Sequence, residues 1–108
     1  MPAYVISEVE ARDPVAFEQY RTLAAASIAR HGGRYLVRGG EAHLAEGGPV
    51  PKTLVIVEFP SMDRLKEWYT SPDYAPALRL SQTGLERRLV FVDGVLPDDH
   101  PQGGRREI

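Results

Sequence analysis

Gly32-Gly33-Arg34-Tyr35-Leu36-Val37-Arg38-Gly39-Gly40 reads as one short β-strand closed at each end by a glycine pair. Glycine reaches positive φ without steric penalty, so the first pair can end a helix and turn the chain, while the second releases the strand into a loop. The two pairs fix the register of everything on either side.

Upstream, Ala3 to Val9 alternates or runs apolar and ends in charge, the pattern of a first strand. Asp13-Pro14 then opens a helix. An aspartate at the N-cap satisfies an orphan backbone donor, worth about 1 kcal/mol, and proline in the first turn has no hydrogen bond to lose. Phe17, Tyr20, Ala24 and Ile28 follow as one buried stripe, and the helix should stop near His31. Downstream, Glu41 to Lys52 carries Gly47-Gly48-Pro49 and Pro51 and is a loop. Thr53 to Phe59 (TLVIVEF) is the most β-prone stretch and should be a central strand, ended by Pro60.

Ser61 is placed to cap a helix through Met62, Leu65, Trp68 and Tyr69. Pro72 and Pro76 forbid its continuation, at about 3 kcal/mol for each proline in a helix interior. A restart is cheaper: Asp73 caps a new helix, and Pro76 falls in its first turn, where backbone donors are unpaired anyway. Leu85 to Asp93 (LERRLVFVD) is the last strand, and Gly94 ends it. The order is strand, helix, strand, then the same again. This is the α+β, ferredoxin-like βαββαβ arrangement, a four-stranded antiparallel sheet with its helices on one face. With 108 residues, 43% of them hydrophobic, the chain is expected to form one domain over residues 1–95, with a polar tail over 96–108.

A half-covered sheet should alternate apolar and polar along each strand, and these strands do not. Leu54 and Ile56 oppose Val55, Val57 and Phe59; Leu89 and Phe91 oppose Val90 and Val92; Tyr4 and Ile6 oppose Val5 and Val9. Leaving about six such side chains in water forgoes roughly 1.5–3 kcal/mol each. A second copy of the chain is the economical cover, so the sequence points to a homodimer with two sheets face to face, a dimeric α/β barrel.

Composition narrows the function. A net charge of −2 with scattered basic residues argues against a nucleic-acid partner. No basic leader and no long apolar run suggests a signal peptide or a membrane partner. The absence of cysteine excludes disulfides and thiolate chemistry and fits a cytoplasmic protein. No cofactor is expected: the glycine pairs match neither GxGxxG nor a phosphate loop, and no Gly-x-Ser-x-Gly elbow occurs. His31, His43 and His100 are too far apart in the sequence to suggest a metal site.

What remains is the cluster from Trp68 to Tyr74, with three aromatics around a helix break. Two roles are open to Trp68, Tyr69 and Tyr74. They fill a core, with local partners for their polar tips; or the break makes a concave corner that holds a small organic molecule, with Tyr20 adding a hydroxyl. Glu58 ends an apolar strand. Burial would raise its pKa and suit a general base, whereas an arginine such as Arg34, Arg38, Arg87 or Arg88 would make it an ion pair. Arg38 is a candidate for contact with that carboxylate or with an anionic ligand.

Taken together, Gly-Gly-Arg-Tyr-Leu-x-Arg-Gly-Gly, Glu58-Phe59-Pro60-Ser61, Trp68-Tyr69-x-Ser71-Pro72-x-Tyr74 and Val92-Asp93-Gly94 resemble the bacterial family called domain of unknown function 1330, over residues 3–95. The resemblance implies a ferredoxin-like fold in the dimeric α/β-barrel superfamily and no established activity. Superfamily relatives include cofactor-independent monooxygenases, haem-degrading enzymes, isomerases and pure binding proteins. This chain contains no asparagine, which the oxygenases and haem degraders commonly use. Family members often carry an arginine about two turns after the residue matching Tyr74, where this chain has Arg79-Leu80-Ser81. The expectation is a homodimer that binds a small organic molecule, with an acidic one among the candidates, at Tyr20, Arg38, Glu58, Trp68, Tyr69 and Tyr74. If it is an enzyme, Glu58 or a tyrosine would move a proton in metal-free isomerase or monooxygenase-like chemistry. The alternative is a non-catalytic structural dimer with no ligand pocket.

Overall fold

The computed structural model describes residues 1–95, so the expected tail over 96–108 lies outside the described residues. The elements are β1 (Ala3–Ala11), α1 (Pro14–Arg30), β2 (Arg34–Arg38), β3 (Thr53–Phe59), α2 (Met62–Tyr69), α3 (Ala75–Gly84) and β4 (Leu85–Asp93). β1 runs past the expected Val9. Its partner decides the end, because Glu10 and Ala11 still pair with Glu86 and Leu85 of β4.

Asp13 caps α1 as its sequence requires: its Oδ1 accepts the Val15 and Ala16 N–H groups at 3.0 and 3.4 Å. The glycine pair after α1 has two different jobs. Gly32 takes a φ of +80°, which turns the chain out of the helix. Gly33 is needed for closeness instead, since a Cβ there would lie 2.7 Å from Ile28 Cγ2 and 2.8 Å from the Phe59 ring.

Ser61 Oγ accepts the Arg64 N–H at 3.1 Å and starts α2. The helix breaks where the prolines demand, but Asp73 does not cap the restart. Buried Ser71 lies inside the bend, and its hydroxyl accepts the Tyr74 N–H at 3.2 Å and donates to the Trp68 carbonyl at 2.7 Å. One hydroxyl thus ties the end of α2 to the start of α3. Asp73 lies on the solvent side, where its carboxylate meets Arg30 at 3.6 Å.

The sheet has the order β2-β3-β1-β4, antiparallel throughout, which is the expected ferredoxin-like topology. One face carries the core: Val5, Val57 and Phe59 pack with Ala24 and Ile28 of α1 and with Leu65 and Trp68 of α2. The other face presents Tyr4, Ile6, Leu54, Ile56, Val90 and Val92, and the last two are 38% and 41% exposed. Edge strand β2 is irregular. Tyr35 pairs with Val57 but Val37 with Ile56, so a bulge at Leu36 brings Tyr35 and Arg38 to the same, helix-covered face despite their odd spacing.

Candidate functional site

Between α1 and the helix-covered face lies a cavity of about 290 Å³. Its floor is apolar, from Val5, Val55, Val57 and Leu89, and Phe17 and Ile28 of α1 roof it. The cavity crosses the sheet from Tyr35 and Arg38 on β2 to Arg87 on β4. The stripe of α1 explains the space. Ala24 and Ile28 are buried in the core, whereas Tyr20 and Phe17, one and two turns before Ala24, remain half-buried and line the cavity.

The polar end is built on Arg87. Its Nη1 donates to the Tyr20 hydroxyl at 2.7 Å, and its Nη2 donates to the Tyr74 hydroxyl at 3.0 Å and to Ser81 Oγ at 3.1 Å. The two tyrosine hydroxyls share a further hydrogen bond of 2.9 Å. Among the described residues no carboxylate pairs with Arg87, and none lines the cavity. Burial opposes the charge of Arg87, but the oxygens of Tyr20 and Tyr74 outweigh it, and the guanidinium holds its proton more firmly than usual. Burial, reinforced by Tyr20, pushes the Tyr74 O–H far above the ordinary tyrosine range. The result is a neutral Tyr74 phenol beside a cation.

The structure separates the expected site residues into three groups. Tyr20, Arg38 and Trp68 line the cavity, with the Arg38 guanidinium stacked 4.3 Å from the Tyr35 ring centre at the β2 end. Tyr74 and Tyr69 stand behind that wall. Tyr74 is fully buried, its ring 4.2 Å from that of Trp68, and reaches the site through its hydroxyl alone. Tyr69 packs edge-on against Phe91 at 5.3 Å. The cluster is thus solid core on one side and cavity wall on the other. The Trp68 indole is fixed by donating to Ser27 Oγ at 3.0 Å.

Glu58 is elsewhere. It lies on the open face, where its Oε1 accepts from Arg34 Nε at 2.7 Å and its Oε2 from the Tyr4 hydroxyl at 3.1 Å. The raised pKa expected of a buried general base is not found. The Arg34 guanidinium holds the Glu58 carboxyl below its ordinary range, outweighing the opposing desolvation. Arg79 on α3 is exposed. Two site residues escaped sequence reasoning: Tyr35, hidden by the bulge, and Arg87. The signal for Arg87 was its parity, a lone cation among Leu85, Leu89 and Phe91 on the apolar face of the last strand.

Solved structures of similar shape fix the fold. A protein of unknown function from Rhodopseudomonas palustris superimposes with a TM-score of 0.72 at 20% identity, covering 89% of this chain and 84% of its own. A cofactor-independent oxygenase from Streptomyces nogalater gives 0.61 at 16% identity, with coverages of 89% and 97%. A dimeric protein of unknown function and ferredoxin-like fold from Bacteroides fragilis gives 0.58 at 16% identity, with coverages of 86% and 96%. At these identities the likeness concerns the fold alone. A search of curated proteins returned no match. The model of the family described as "Domain of unknown function (DUF1330)" matches residues 2–95, and the chain belongs to that family.

Proposed function

We propose that this protein is a homodimeric small-molecule-binding protein whose ligand occupies the cavity between α1 and the sheet. One observation carries the reading: a partly open, mostly apolar space of about 290 Å³ ends on a cluster of convergent polar groups, Tyr20 and Arg87. That combination is how small-molecule sites are generally built, and the volume sits at the small end of their range. The space holds about ten waters' worth of liquid, so the ligand is the size of a single substituted ring.

The second copy covers the open face. Tyr4, Ile6, Ile56, Val90 and Val92 form its apolar centre, and cross-strand pairing sets Glu8 beside Arg88 at its margin. A face of this kind is self-complementary under a two-fold axis. The ferredoxin-like neighbour from Bacteroides fragilis is itself dimeric.

A thermal-shift screen of small organic compounds tests the ligand site, because a molecule that binds only the folded state must raise its melting temperature. Val55→Phe fills the cavity. It should abolish the ligand-induced shift without lowering the ligand-free melting temperature. Shifts that persist unchanged in this variant would move the site elsewhere.

A further inference from the structure

We infer that the cavity takes an organic carboxylate, with its oxygens held by the Tyr20 O–H and the spare N–H groups of Arg87. The inference rests on the proposed ligand cavity and comes from following each proton in the Tyr20, Tyr74 and Arg87 cluster.

Tyr74 is fully buried, and its oxygen has two polar neighbours among the described residues, Tyr20 and the Arg87 Nη2. Arginine donates and never accepts, so the Tyr74 proton has only the Tyr20 oxygen to go to. Reversing that bond would strand a buried O–H without an acceptor, which is penalised far more than a merely weak bond. Tyr74 therefore donates to Tyr20. The Tyr20 oxygen then accepts from both Tyr74 and Arg87, and its own proton is left over. Tyr20 lines the cavity, so that proton is available there.

Arg87 leads to the same chemistry. A guanidinium carries five N–H groups, and three of them are used on Tyr20, Tyr74 and Ser81. The Nε–H and one Nη1–H have no partner among the described residues. Tyr20 and Arg87 offer the cavity donors only, and one of them is a half-buried cation without a carboxylate partner there; the Ser7 hydroxyl, also in the lining, can donate or accept. Donors grouped around a cation select an anionic oxygen, which the Ser7 and Thr53 hydroxyls of the lining can also meet by donating. The apolar floor demands a hydrocarbon body behind it. Arg38, also lining the cavity, adds positive potential, whereas Arg21 at the lining is paired with Glu18 at 3.0 Å.

Calorimetric titration of the full-length protein tests this with benzoate, phenylacetate and hexanoate, their neutral amides, and inorganic phosphate. The carboxylates should bind on the order of tenfold to a hundredfold tighter than the matched amides, the range expected for a charge-assisted hydrogen bond. Tyr20→Phe and Arg87→Gln should each erase most of that preference. Because the comparison of acid with amide is made on the unaltered protein, it stands even if Arg87→Gln fails to fold. Amides that bind as tightly as the acids would overturn the anion inference and leave the ligand cavity standing. Phosphate that competes equally with the carboxylates would show a bare anion site and overturn the organic body. If neither acids nor amides bind, or if Val55→Phe leaves their binding unaltered, the cavity reading falls and the inference falls with it.

Discussion

The two faces of the sheet each hold an arginine beside tyrosine hydroxyls, and the arginines are in opposite situations. On the open face Arg34 is 72% exposed and is neutralised by Glu58, which also receives the Tyr4 hydroxyl. On the covered face Arg87 is half-buried, bonded to three hydroxyls, and has no carboxylate partner among the described residues. Three hydroxyls offset the desolvation of Arg87 by hydrogen bonding, but none of them brings the opposite charge that Glu58 brings to Arg34. The open-face cluster is complete as it stands. The covered one leaves the Arg87 Nε–H and one Nη1–H without a partner among the described residues.

The contrast can be broken most forcefully at the wall between cavity and core. Trp68 is 2% exposed and touches Phe59, Tyr69 and Tyr74. Trp68→Ala should cost about 3–5 kcal/mol of stability in chemical denaturation, the range for deleting a large buried aromatic. Next in size is the open face. Ile56→Glu places a charge at its centre in both copies and should raise the dimer dissociation constant by about a hundredfold or more, read by sedimentation. A dimer indifferent to this change would mean that another surface pairs.

A smaller effect sharpens the comparison of the arginines. Arg87→Met keeps the aliphatic stem and removes the unpaired charge, so the ligand-free protein should lose less than about 1 kcal/mol or gain stability. The same variant should lose its preference for carboxylates. Arg34→Met should leave ligand binding unchanged.

The smallest effect is a pH dependence. Glu58 has a folded pKa below its unfolded value, so the stability it contributes is present above the ordinary glutamate range and is lost as pH falls through the lower folded value. Glu58→Gln should flatten that acid limb of the stability profile. An unchanged profile would show that the Arg34 contact is not formed in solution.

Much of the fold was legible because local rules decide it. Asp13-Pro14 and the proline pair at 72 and 76 act through their immediate neighbours, and the strands carried their own period. The double apolar character of β1, β3 and β4 announced two apolar faces, of which the helices cover one. The site was less legible, for two physical reasons. A bulge resets the parity of a strand, and nothing in Arg34 to Arg38 distinguishes regular pairing from the slip that sets Tyr35 beside Arg38. Opposite charge alone leaves Glu58 four candidate arginines, Arg34, Arg38, Arg87 and Arg88, and the pair forms with Arg34. Parity places Glu58 and Arg87 on opposite faces: Glu58 shares its face with Leu54 and Ile56, and Arg87 shares its own with Leu89 and Phe91. The α3 restart lies where the prolines put it, but the Asp73 cap does not form: Asp73 and Ser71 have comparable capping chemistry, and Ser71 has the inside position.

The central claim is that Arg87 waits for an anion while Arg34 does not. The side-chain Nε–H resonances of the two arginines test it in one nitrogen–proton NMR titration with benzoate and then with benzamide. Arg34 Nε already donates to Glu58 and serves as the internal reference. The account predicts a saturable shift of the Arg87 Nε–H with benzoate, little with benzamide, and a stationary Arg34. An Arg87 resonance that stays still while benzoate binds, or two arginines that move together, would contradict it.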